Sequence, residues 1–122
     1  MHISILVVIV MIGAVVPSVF AEISITDDST GGDCTTIGTW DSASKTCTLT
    51  SDISDNIVIN SDGITLNGND HEVVVLPTYL GQGRFYMSDV TAISSIGKNN
   101  LTVENIIIKT WYCGICFDDV SN

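Results

Sequence analysis

Four cysteines and one histidine beyond the N-terminal run are the side chains best suited to redox, metal or acid–base chemistry in this chain. Cys113-Gly-Ile-Cys116 has the CxxC spacing of zinc and dithiol sites. Zinc would need two further ligands, and no βαβ pattern surrounds the pair, so the plainer reading is two small strand residues oxidised to each other. Residues three apart face opposite sides of a regular strand, so such a bridge needs Gly114 to bend the chain. His71 could act as a ligand or base, and no second histidine beyond residue 21 accompanies it. Copper would want several His, Met or Cys ligands together, and beyond the first 21 residues the chain has only His71 and Met87 besides its cysteines. A lyase would want clustered carboxylates beside a Lys or Arg base. Asp118 and Asp119 are adjacent and would point to opposite faces of a strand, and neither Arg84 nor Lys98 has a carboxylate cluster near it in sequence. A hydrolase needs two carboxylates facing one groove, and eleven Asp make chance pairs uninformative. No catalytic residue and no metal ligand is therefore assigned.

The chain around these residues sets the context. It has 122 residues, enough for one small domain, with 14 acidic and 4 basic side chains and a net charge of −10. Such a surface repels phosphate backbones and anionic headgroups, so nucleic acid and membrane surfaces are excluded as partners. It is a solvated surface, and Ca²⁺ is the one cofactor its oxygen ligands would attract. Residues 1–21 carry no charged side chain, and Ile5 to Val16 is an unbroken run of apolar residues and Gly. That run is short for a membrane span and fits a signal peptide cleaved between Ala21 and Glu22, with an uncleaved anchor as the alternative. After cleavage no segment is long enough to cross a membrane. An even number of cysteines in an exported chain favours disulfides. Cys34 and Cys47 share a segment too poor in large apolar residues to fold by burial, and a bridge between them would stabilise it by roughly 2–3 kcal/mol.

Residues 22–52 read as a lead-in or cap. From Ile53 to Asn122 apolar residues recur in short pairs two apart: Ile57 and Ile59, Ile64 and Leu66, Val73 and Val75, Leu101 and Val103, Ile106 and Ile108, Ile115 and Phe117. Period two means strand, and no helical period is evident. Hairpins are disfavoured, because apart from Asp62-Gly63 the strict two-residue turns are missing. Ile64-Thr-Leu66-Asn-Gly68 matches Leu101-Thr-Val103-Glu-Asn105, and Val90–Ile93 matches Gly114–Phe117. Repeats of about two dozen residues with three short strands each are what a solenoid requires.

Asp62-Gly-Ile-Thr-Leu-Asn-Gly-Asn-Asp-His71, Asn99-Asn-Leu-Thr-Val-Glu-Asn-Ile-Ile-Ile108 and Trp111-Tyr-Cys-Gly-Ile-Cys-Phe117 resemble coils of right-handed parallel β-helix repeat proteins. The segment from Cys34 to Thr50 is similar to the paired-cysteine lead-in of β-helix proteins exported by archaea. Asp70 stands where these coils usually carry Gly, and residues 77–89 form an insertion. The resemblance implies an all-β chain: a short right-handed parallel β-helix of two to three coils, a fragment of a longer solenoid, secreted or held at the cell surface. It describes a fold, not an activity. Carbohydrate is the ligand class it implies for a non-catalytic module, and the alternative is a fragment of a lyase or glycoside hydrolase acting on polysaccharide. Tyr79, Arg84, Phe85 and Tyr86 of the insertion are the candidate ligand-binding residues, for rings on a loop can stack on sugars; equally, they can pack back over the coils. Asn100-Leu-Thr102 is a glycosylation sequon. With few coils, the C-terminal end is expected to recruit further coils or a second copy.

Overall fold

The computed structural model describes residues 22–86 and 91–118, with residues 78–80 and 84–86 described by their backbone. The leader assigned to residues 1–21 lies outside the described residues, as do Met87 and Asp119. The chain opens with β1 (Ile23–Ile25), one turn of helix α1 (Cys34–Ile37) and β2 (Gly38–Asp41). It then passes three times through three sheets in one fixed order. The first pass is β3 (Thr46–Leu49), the single bridge residue Ile53, and β4 (Ile57–Ile59). The second is β5 (Thr65–Asn67), β6 (Glu72–Val75) and, after an inserted hairpin of β7 (Thr78–Gly81) and β8 (Arg84–Tyr86), β9 (Thr91–Ile96). The third is β10 (Thr102–Glu104), β11 (Ile107–Thr110) and β12 (Cys113–Asp118). The first sheet runs β1-β4-β9-β12, all parallel. The second runs β10-β5-β3-β2, parallel except for β2. The third pairs β11 with β6, and β6 with Ile53, in parallel.

Parallel register turns the period-two pairs into stacks of like side chains. Ile23, Ile57, Ile93 and Ile115 are successive partners in the first sheet. Cys47, Leu66 and Val103 are partners in the second, and Ile53, Val73 and Ile108 in the third. Ile57, Ile59, Ile64, Leu66, Val73 and Ile93 are fully buried, each stabilising the fold by about 1.5–3 kcal/mol. Ser95 occupies an interior position as well, and its hydroxyl donates to the Ile59 carbonyl at 2.7 Å, so its burial leaves no polar atom unsatisfied. Leu101, Val103, Ile106, Ile108 and Phe117 are half-buried against this core, and Ile115 is 45% exposed. Ile115 keeps the interior register over Ile93, and its exposure follows from β12 being an outermost strand of its sheet among the described residues.

The cap is more than a polar lead-in. Ile23 and Ile25 enter the core, and the buried Cys34–Cys47 disulfide places Cys47 under Leu66 as the floor of the second-sheet stack. The Asp28 carboxylate gathers the loop after β1, accepting from the N–H groups of Thr30 and Gly32 and the hydroxyls of Thr26 and Thr30. Trp40 Nε1 donates to the Asp28 carbonyl at 2.9 Å. Two local structures differ from expectation. The insertion, expected as a loop, is an antiparallel hairpin, with Thr78 opposite Tyr86 and Tyr79 opposite Phe85. The second repeat alignment shifts too: Ile93 pairs with Ile115, not Phe117. A slip of two residues keeps the same face inward, so apolar pattern alone does not separate these registers.

Candidate functional site

The third sheet hands the chain to the first at one corner, and exposed aromatic residues collect there. Val75 pairs with Thr110, so Leu76 and Trp111 leave the sheet at equivalent positions of adjacent passes. On the second pass the chain leaves this corner into the β7–β8 hairpin; on the third it turns through Trp111 and Tyr112 directly into β12. Trp111 is 66% exposed and Tyr112 is 78% exposed, with Leu76 also exposed. Tyr79, Arg84, Phe85 and Tyr86, the residues singled out from the sequence, therefore belong to a hairpin that springs from the corner where Trp111 and Tyr112 lie. Trp111 and Tyr112 were not among the expected site residues. The available signal was two adjacent aromatics between strand runs, one repeat after the insertion.

This corner is the lip of an open pocket of about 450 Å³ on the outer face of the first sheet. Glu22, Asn56, Thr91 and Tyr112 line its rim, each at the N-terminal edge of one of the four strands. Ser94 and Cys116, register partners in β9 and β12, form its middle, and Ile96 and Asp118 close the far side. The volume falls in the range of small-ligand sites. An aromatic face, hydroxyls, an amide and two carboxylates can together stack on and hydrogen-bond a sugar ring.

Cys113 and Cys116 are joined by a disulfide. Strand alternation breaks where β9 and β12 round the corner: Ala92 and Ile93 are both buried although adjacent. Ile115 is the partner of Ile93, and a Cβ on the adjacent Gly114 would lie 3.4 Å from Cγ2 of Ile108, a side chain packed against the core. Two consecutive inward positions let cysteines three apart reach the same side, which is the bend required of Gly114.

A second polar cluster lies at the corner before the third sheet. Asp52 Oδ1 accepts from the Glu72 N–H at 2.9 Å and lies 3.2 Å from His71 Nδ1, while Lys109 Nζ donates to Glu72 Oε1 at 2.8 Å. The Glu72 N–H, then the His71 ring, then the charges of His71 and Lys109 hold the Asp52 carboxyl below the usual carboxylate range. These groups satisfy one another across neighbouring passes, so they act as a clip between rungs. Among the described residues no three His, Cys, Asp or Glu side chains come together as a metal cage would, so the Ca²⁺ expectation finds no ligand set there. No helix of the described residues is long and apolar enough to cross a membrane. Asn100 is exposed in a left-handed corner at φ 57°. Two disulfides among the described residues are what a chain in an oxidising compartment carries. Comparison with family models, with curated proteins and with solved structures finds no match.

Proposed function

We propose that this chain is an exported, non-catalytic module, built as a right-handed parallel β-helix within a secreted or cell-surface protein, that binds carbohydrate at its aromatic corner. The observation supporting the binding reading is the pair of exposed aromatics, Trp111 and Tyr112, the second of which lines the outer pocket, at the corner from which an inserted hairpin with three further aromatic positions springs one pass earlier. Large exposed aromatics are uncommon on a surface that needs only solubility, and a rigid stack supports a preformed site better than a loop does. The β-helix reading is supported by the fixed order in which the chain revisits its three parallel sheets, and by the right-handedness general to parallel crossovers. Export is supported by the two disulfides. The polysaccharide-active enzyme reading draws nothing from the Asp52–His71–Glu72–Lys109 cluster, whose groups are spent on each other.

The test is a glycan array probed with the purified chain, followed by titration of the best ligand. Trp111→Ala with Tyr112→Ala is expected to weaken binding at least about tenfold while leaving the far-ultraviolet circular dichroism unchanged. No binding by the parent, or undiminished binding by the double variant, would overturn the assignment.

A further inference from the structure

The two disulfides differ in burial, in loop length and in access to a pocket. Cys34 and Cys47 are 0% exposed, and their bridge closes a loop of sequence separation 13 beneath the core. Cys113 and Cys116 are both partly exposed, are separated by only 3, and Cys116 lines the open outer pocket. A loop that short removes little entropy from the unfolded chain, so the fold gains little from this bridge. Nor does β12 depend on it: main-chain pairing to β9 extends from Cys113 to Asp118, so the same backbone can hold both the dithiol and the disulfide.

We propose that Cys113–Cys116 is an exchangeable dithiol–disulfide couple, open to low-molecular-mass thiols through the outer pocket. A thiolate entering the pocket attacks Cys116 Sγ; the Cys113–Cys116 bond breaks as the mixed disulfide forms, and Cys113 leaves as a thiolate that takes up a proton. A second thiolate attacks the external sulfur of the mixed disulfide, releasing the oxidised small disulfide and Cys116, which is protonated in turn. Two electrons pass from two thiols to the pair, and a small-molecule disulfide reverses the sequence. The pocket also sets a preference. Its charged lining residues are the carboxylates Glu22 and Asp118, so it attracts a cationic thiol and repels an anionic one.

The test is timed reduction of the native full chain by cysteamine, a cationic thiol, and by 3-mercaptopropionate, an anionic one, each rate per thiolate divided by the same thiol's rate with an uncharged small disulfide, which removes their difference in intrinsic nucleophilicity. Alkylation and peptide mapping score the two disulfides separately, with Cys34–Cys47 as the internal control. Cys113–Cys116 is expected to open at least about tenfold faster than Cys34–Cys47 while circular dichroism stays native. Cysteamine is expected to act several-fold faster than 3-mercaptopropionate at low salt, with the gap closing in about 1 M salt and narrowing in Asp118→Asn. Equal rates for the two disulfides, or opening only as the chain unfolds, would overturn the couple. Fast opening with no preference between the thiols would overturn attack through the pocket.

Discussion

Single side chains set the shape of the cap and the corners. Asp28 accepts four hydrogen bonds in the loop after β1; chiefly the Gly32 N–H, then the Thr26 hydroxyl and the Thr30 N–H, hold its carboxyl well below the usual range. Asp41 is held low by Ser44 and the Ala43 N–H, and Asp52 by the groups described above. All three are depressed in the folded state. Their contribution is therefore full above the unfolded-state value near 3.8 and is lost as pH falls through the folded values. Thermal melts from pH 7 down to pH 2 are expected to show Tm falling below about pH 4, and Asp28→Ala to lower Tm at pH 7 by more than at pH 2. Asp70 shows the same economy at a corner. It adopts φ 64°, a left-handed conformation that Asp tolerates better than most residues.

At the scale of the strand, the decisive feature is position within a stack. Ile93 is sandwiched between Ile57 and Ile115 and is fully buried, whereas Ile115 has a described partner on one side only. Ile93→Ala is expected to cost about 2–5 kcal/mol, and Ile115→Ala less than half as much, by urea unfolding. Gly68 is constrained by approach rather than by dihedral angle. A Cβ there would lie 2.5 Å from the Asn105 carbonyl oxygen and 2.6 Å from Ile106 Cβ, on the next pass. Gly68→Ala must push β10 and β11 away from β5 and β6, at a cost of about 1–3 kcal/mol, which the same measurement would report. At Gly83 the case is reversed: a Cβ would meet nothing within 4 Å, and the constraint is the left-handed φ of 74°.

For the molecule as a whole, burial declines along the stack. The cap end is closed by the Cys34–Cys47 bridge and Trp40, while β10, β11 and β12 are the outermost members of their sheets. Among the described residues no strand lies beyond these three, and Ile107 and Ile115 are exposed on them, a pattern that can template another strand. The isolated chain is expected to self-associate with rising concentration, and Ile115→Lys to reduce this, as read by sedimentation velocity. A monomer at every concentration for the parent chain would rule this out.

The interior faces were legible from the sequence because side chains in a strand alternate: Ile57, Ile59, Ile64, Leu66 and Val73 announce their face by spacing alone. The match of Ile64–Gly68 to Leu101–Asn105 is also the pairing the strands adopt, Leu66 on Val103. Composition and the shared segment of Cys34 and Cys47 likewise indicated their bridge before any geometry did. Other features depend on contacts between residues far apart in sequence, and local pattern carries no record of those. Ile23 and Ile25 read as a short β-prone start to the lead-in, and only the pairing of β4 with β1 draws them into the core. Ser95 is acceptable inside only because the Ile59 carbonyl lies 2.7 Å away. Whether Phe117 or Ile115 sits over Ile93 is a choice between registers that expose the same face, and main-chain pairing along β12 makes it. Tyr112 meets Asn56, Ser94 and Asp118 in the lining of one pocket, at the corner from which the hairpin springs, only through that pairing, a juxtaposition that tertiary structure alone creates.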